Sequence, residues 1–341
     1  MHRVLVVAPG DPSRPHSGDV DYALEMYKIL RKFTSASLFY FPGHNYLEPR
    51  YRVYARLPIW LLSYFKRLIT FSGIVYIVNH SGIALFTLIS GKAFNRRIRV
   101  LPYIDNPDWD NLLGRFVAMS SDAVCINNFT VENFRRTIVS LAKSYCFLPG
   151  RVVHPDSIGE IWKKRVYVKG KIGIVDNTIA VGLIGPFHTY NKPSLRYLVQ
   201  NLDKFSENIT FKIIGSIDTG DKFNHPRLVY TGHIEDYYGT LAALDCVLIP
   251  RFVKHASPMG KMVDAMAVGV PVVTNELEEL PLVNGENVLL GSLNELPELV
   301  NHAVSEKETA RRIGENGRKF ILQNFSAEGV TMKLERFINS I

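Results

Sequence analysis

Between Ser257 and Val273 the chain reads Ser-Pro-Met-Gly-Lys-Met-Val-Asp-Ala-Met-Ala-Val-Gly-Val-Pro-Val-Val. Ser257 is suited to cap a helix that opens on Pro258, because a serine oxygen accepts from an unpaired amide and proline has no amide to lose. The amides of Met259, Gly260 and Lys261 would then lack intrahelical partners and sit at the positive end of the helix. Gly260 lets an anion approach the backbone, and Lys261 adds a full charge, which is the chemistry of a phosphate cradle. Asp264 follows Lys261 by three positions and Gly260 by four, on one helical face, where a carboxylate can accept from sugar or ribose hydroxyls. Taken alone, the same pattern is a capped helix with a surface Lys–Asp pair, so the rest of the chain must decide.

Candidates in the first half sit after apolar runs. Gly18 and Asp19 belong to a Gly-, Pro- and Ser-rich loop after Arg3–Ala8, expected to face the cleft. Asp19 and Asp21 can bind a ligand, or Asp19 can simply cap the helix expected near Val20. His80 follows a strand-like run at its carboxyl end, where α/β sheets place ligands, although a lone histidine there is more often structural. Asp105 follows Val100–Ile104 in the same way and is suited to orient an acceptor. Asp108 and Asp110 read as helix-start residues.

The elements that would carry these residues alternate. Strand patterns fall at Arg3–Ala8, Ser37–Phe41, Ile74–Val78, Val100–Ile104, Ala123–Ile126 and Ser144–Leu148, with helical patterns at Tyr22–Phe33, Leu112–Met119 and Val131–Ala142. Near-continuous apolar strands separated by helices predict a parallel sheet covered on both faces. Residues 150–177 are irregular and basic and read as a connection. The alternation restarts with strands at Thr178–Ile184, Ile209–Ile214, Leu228–Tyr230, Cys246–Ile249 and Val270–Thr274. Helices are expected at Ser194–Phe205, Tyr237–Ala243, Gly260–Ala267, Lys307–Gln323 and Ala327–Ile338. Two successive open α/β units predict two doubly wound, Rossmann-like domains facing each other across a cleft.

Composition agrees with a globular chain: 341 residues, 47% hydrophobic and 21% charged, with no apolar run near the length of a membrane-spanning helix. The amino-terminal segment lacks the features of a signal peptide. Cys125, Cys146 and Cys246 have neither metal-ligand spacing nor an even count, so no zinc site or disulfide framework is expected and a cytoplasmic setting is. The net charge of +8 suits nucleic acid, an anionic membrane or a phosphorylated substrate. No base-reading motif accompanies it, so nucleic acid is not expected as a partner. Leu57, Trp60, Leu61, Tyr64, Phe65 and Leu68 share one helical face, with Arg50, Arg52, Arg56, Lys66 and Arg67 around it. That helix either lies in the plane of an anionic membrane, as a peripheral contact, or packs on its own domain. The further cluster Lys92, Arg96, Arg97 and Arg99 adds to the first reading.

Lys261-Met-Val-Asp264-Ala-Met-Ala-x-Gly269-x-Pro271-Val-Val resembles the sugar-nucleotide signature of retaining glycosyltransferases of the GT-B fold, the group 1 or family 4-like glycosyl transferases. Val181-Gly-Leu-Ile-Gly185 followed by Asn191-Lys192 resembles that family's strand–loop–Lys element, whose lysine binds donor phosphate. Asp236–Pro250, Val283-Asn-Gly-Glu-Asn-Val-Leu-Leu, Ser17-Gly-Asp and Ser121-Asp-Ala-Val-Cys-Ile-Asn resemble further parts. The chain departs from the pattern with Asp264 for Glu, Pro193 for Gly, Pro186 where an Arg is common, and Ala256 where a first acid contacts the donor sugar.

The resemblance implies a GT-B architecture with an acceptor-side domain over 1–160, a nucleotide-sugar domain over 161–325, and a terminal helix over 326–341 returning to the first domain. It implies hexosyl-type transfer from a nucleotide-sugar to an acceptor hydroxyl with retention, the acceptor being a glycan or a lipid-linked or surface polysaccharide. The donor would be bound by Gly18, Gly185, Lys192, Ser257, Met259, Gly260, Lys261 and Asp264. Lys192, Lys261 and Asp105 would act in catalysis, and Asp19, His80 and Asp105 would stand on the acceptor side. Neither a metal nor a cofactor is expected, the nucleotide-sugar being a substrate. Two alternatives stay open: a non-catalytic GT-B-like binding protein and a nucleotide-sugar epimerase.

Overall fold

Val4 to Ala8 are apolar at every position, so β1 (Arg3–Ala8) fits only a sheet that is covered on both faces. The computed structural model describes residues 2–10, 18–40, 50–104, 111–127, 132–154, 158, 178–185, 187, 192–216, 223–232, 234–252, 260–275 and 282–341, with backbone alone at 18–19, 50–58 and 132. Two compact units result: Met1–Val152 with Ala327–Ile341, and Val153–Ser326.

In the first unit, β1 is joined by β2 (Ser35–Tyr40), β3 (Gly73–Val78), β4 (Ile98–Ile104), β5 (Val124–Asn127) and β6 (Tyr145–Leu148). Their order is β2-β1-β3-β4-β5-β6, and every pairing is parallel. Successive side chains of a strand point to opposite faces, and the core divides accordingly. Val4, Val6, Ile74, Tyr76, Leu101 and Cys125 face α1 (Gly18–Leu30) and α12 (Ala327–Ser340), through Met26, Leu30, Val330, Leu334 and Ile338. Leu5, Val7, Val75, Ile77, Val100 and Ile126 form the other face. That face is covered by α2 (Arg50–Thr70), α3 (Ser81–Phe86), α5 (Leu112–Ser120) and α6 (Glu132–Leu141). A π-helical turn, Thr87–Gly91, and the short α4 (Lys92–Phe94) continue α3.

α2 resolves the ambiguity of its sequence. Tyr64 and Leu68 are fully buried, Trp60 and Leu61 pack against the same core, and Trp60 meets the rings of Phe39 and Tyr40. Tyr64 also hydrogen-bonds Thr87 at 2.8 Å. Trp60, Leu61, Tyr64 and Leu68 of the face read as a membrane contact are therefore turned inward, because burying each such side chain gains about 1.5–3 kcal/mol.

In the second unit β7 (Ile179–Ile184), β8 (Ile209–Ile214), β9 (Leu228–Gly232), β10 (Cys246–Ile249), β11 (Val272–Asn275) and β12 (Leu289–Gly291) take the order β12-β11-β10-β7-β8-β9. All of these pairings are parallel. The helices are α7 (Lys192–Gln200), α8 (Tyr237–Ala243), α9 (Gly260–Ala267), α10 (Leu296–Ser305) and α11 (Lys307–Phe325). The order reverses between β7 and β10. Such a switch point opens a crevice at the carboxyl ends of the strands.

Several boundaries differ from the sequence reading. The helix expected over Ser194–Phe205 starts at Lys192 and stops at Gln200, and a 3-10 turn, Leu202–Lys204, follows. β12 and α10 had no forecast.

Candidate functional site

The switch point of the second sheet is held together by bonds between elements far apart in sequence. Gly185 follows β7, and its amide donates to the Ile214 carbonyl at 2.8 Å. A side chain at Gly185 would collide with the buried ring of Phe187. Lys192 opens α7, half-buried, and two residues on the buried Ser194 hydroxyl donates to the Pro250 carbonyl at 2.8 Å. The start of α7 is thereby pinned to the end of β10, across the switch.

α9 lies on the other side of that crevice. Gly269, at φ 77°, ends it: the amides of Gly269 and Val270 return to Met266 and Ala265, closing a left-handed glycine cap. α11 packs tightly on this corner, since a Cβ on Gly314 would fall inside contact distance of the Gly269 carbonyl. With its far end fixed, α9 presents Gly260 and Lys261 as its first two described residues.

Lys261 Nζ donates to the Ile184 carbonyl at 2.8 Å, spanning from α9 to the last residue of β7. Burial lowers its ammonium from the usual 10.5 to about 8. A lysine so placed carries its charge at neutral pH at a desolvation cost, and a phosphate beside it would offset that cost. Asp264 is buried, at 3% exposure, and accepts from the Tyr238 hydroxyl at 3.1 Å. Asp236 in turn caps α8 by accepting from the Gly239 amide at 3.0 Å, fixing the turn that bears Tyr238. At the ends of β10 and β11, Asn275 accepts from the Arg251 amide and donates to its carbonyl, at 2.6 and 2.9 Å.

Lys261, Asp264, Gly260, Gly185 and Lys192 thus belong to the switch-point edge of one sheet. Ser257, Met259 and Asp105 lie outside the described residues. Gly18 and Asp19 are the first two residues of α1, with backbone alone described. His80 sits after β3, where Nδ1 accepts from the Ile83 amide at 3.2 Å and caps α3. The preceding Asn79 has φ 42°, unusual for a residue with a side chain. Sequence spacing missed Tyr238, Ser194 and Asn275, whose partners lie 26, 56 and 24 residues away. The cap at Asp236 was the only local signal near any of them.

Residues 192–336 match the family model described as Glycosyl transferase-like. A curated protein of Staphylococcus aureus, the capsular polysaccharide biosynthesis glycosyltransferase CapM, is 24% identical over 148 residues, 39% of this chain and 38% of that protein. The match thus spans well under half the length of that relative. Among solved structures, Anabaena HepE in complex with UDP-glucose superposes with a TM-score of 0.75 at 15% identity, over 100% of both chains. Sucrose-phosphate synthase of Thermosynechococcus elongatus gives 0.74 at 12% identity, over 100% of this chain and 99% of the other.

Proposed function

We propose, for a chain with the GT-B fold whose residues 192–336 match the glycosyl transferase-like family model, that the protein is a glycosyltransferase taking its sugar from a nucleotide donor. The observation that carries this reading is Lys261 at the switch point, at the start of α9, beside the buried Asp264–Tyr238 pair. A donor diphosphate at this edge meets Lys261, Lys192 and the amides that open α9, and the ribose hydroxyls meet Asp264. As the bond to the sugar breaks, negative charge grows on the leaving diphosphate. Fixed cations and amides in a poorly solvated crevice stabilise that charge more in the transition state than in the ground state.

The chemistry then needs no metal and no protein nucleophile, and the acceptor hydroxyl attacks with retention at the anomeric carbon. CapM, by its name, works in capsular polysaccharide biosynthesis, and HepE binds UDP-glucose. These names favour a hexosyl donor and a surface-glycan or lipid-linked acceptor here. Asp19, His80 and Asp105 remain the acceptor-side candidates, and Gly18, Ser257 and Met259 complete the donor cradle.

Ala256, in place of the acid that would read the donor sugar, favours a second reading, a protein that binds the nucleotide-sugar without transferring it. Donor hydrolysis and transfer with a panel of UDP-, GDP- and ADP-sugars separate the two. Turnover of one donor supports the transferase. Tight nucleoside diphosphate binding with no turnover of any donor supports the binding protein.

A further inference from the structure

The chain's net charge of +8 is housed in one stretch: residues 50–104 hold nine Lys and Arg and no Asp or Glu, leaving the remainder within one charge of neutral. The same stretch exposes large apolar side chains. Inward rotation of Trp60, Tyr64 and Leu68 leaves the opposite side of α2 to Ile59, Leu62, Lys66 and Ile69, spaced so that they form a row along the helix. Leu62 is 68% exposed. Beside this row stand Phe94, also 68% exposed, and Ile89, at 61%. The Phe65 and Phe94 rings meet edge to face with centroids 5.4 Å apart, so α2 and α4 share one surface.

That surface is tied together across elements. Asn95 Nδ2 donates to the Leu68 carbonyl at 2.8 Å, joining the end of α2 to the turn before β4. Lys92 binds Asp122 at 3.1 Å and the Ser120 carbonyl at 3.3 Å, joining α4 to the end of α5. Arg96 and Arg97, in the same turn, and Lys66 and Arg67, in the last turns of α2, are exposed around the apolar group. The turn precedes β4 and the end of α2 precedes β3, so the cationic rim lies at the amino ends of these strands. The carboxyl ends, where α/β sheets take ligands, stay clear.

We infer that this face of the first unit, formed by Leu62, Phe65, Ile69 and Phe94 with Lys66, Arg67, Arg96 and Arg97, seats the protein on an anionic lipid surface. Apolar side chains enter the acyl boundary while cations around them meet lipid phosphates, a combination that neither feature achieves alone. A nucleic acid would use the cations and gain nothing from exposed Leu, Ile and Phe. A second copy would bring nine like charges against nine. Among the described residues no helix is long and apolar enough to cross a membrane, so contact here is by lying on it. The inference goes beyond the donor reading and does not rest on it, since its test uses no donor.

Cosedimentation of the full chain with vesicles of phosphatidylcholine, alone or mixed with phosphatidylglycerol, tests it. Binding to the mixed vesicles only is expected, falling with salt, and lowered at least about tenfold by Leu62→Ser with Phe94→Ser. Arg96→Ala with Arg97→Ala should weaken it comparably, and both double variants should keep the parent's unfolding temperature, since these side chains are exposed. Hydrogen exchange on the vesicle-bound protein should show protection gained at residues 59–69 and 89–97. No binding to the mixed vesicles overturns the inference. So does protection confined to other segments, vesicle binding untouched by the apolar variant with equal retention on heparin (a polyanion site), or a concentration-dependent dimer broken by the same variant (a second copy).

Discussion

The carboxyl edges of the two sheets come from the same strand–turn–helix unit and carry different chemistry. In the second unit, bonds cross between elements: Lys261 reaches Ile184, Ser194 reaches Pro250 and Tyr238 reaches Asp264. They hold a cation and a carboxylate, each partly or wholly desolvated, around the switch between β7 and β10. In the first unit, the side-chain bond described at the equivalent position is local. His80 caps the helix that follows it, and Asn79 takes a left-handed turn whose amide donates to Tyr103. One edge holds buried charge, whereas the other sets the direction of a helix. Cross-element bonds to buried charge therefore separate the two edges better than polar residues after strands do.

The comparison can be broken most directly at Lys261. Lys261→Ala should weaken nucleoside diphosphate binding about 10- to 100-fold, the worth of a charge-assisted hydrogen bond, measured by calorimetry. Unchanged affinity would remove the second edge from consideration. Gly314→Ala tests the scaffold behind it: the new Cβ meets the Gly269 carbonyl, and chemical denaturation should show a loss of about 1–3 kcal/mol. Tyr238→Phe leaves one oxygen of the buried Asp264 without its phenol partner. A stability loss near 1 kcal/mol is expected, with nucleoside diphosphate binding weakened and inorganic pyrophosphate binding unaltered. His80→Ala should produce the smallest change, about 1 kcal/mol from a lost helix cap, and leave nucleotide affinity alone. A large fall in nucleotide affinity there would erase the contrast between the edges.

Much of this was legible in the residues. The core strands showed as apolar runs because both faces of each sheet are covered, and α9 was bounded correctly at its end by Gly269 and Pro271. Less of α2 could be read: apolar residues occur on both of its sides, so spacing alone cannot say that Tyr64 goes in and Leu62 stays out. α10 carries Pro297 in its first turn and follows β12, a strand of three residues, too short to give a period. The pairing of Tyr238 with Asp264 depends on where β10 and β11 bring two helices, and no local pattern records that. Lys261 was legible as a cation at a helix start. Its lowered pKa was not, because that comes from burial against β7.

This last property gives the central test. In the ligand-free protein Lys261 loses its proton near pH 8, whereas a bound diphosphate would hold the proton on. The unfolded lysine titrates near 10.5, so stability of the ligand-free fold should also rise as pH climbs from about 8 to 10.5, where only the unfolded chain still binds the proton. Titration of the protein with UDP, GDP and ADP at pH 7 and pH 9, in buffers of different ionisation enthalpy, measures the protons exchanged. For the nucleotide that binds, little uptake is expected at pH 7. Uptake approaching one proton, with weaker affinity, is expected at pH 9, and both effects should vanish in Lys261→Arg. Binding without proton uptake at pH 9, or uptake that persists in Lys261→Arg, would contradict a donor diphosphate seated on Lys261.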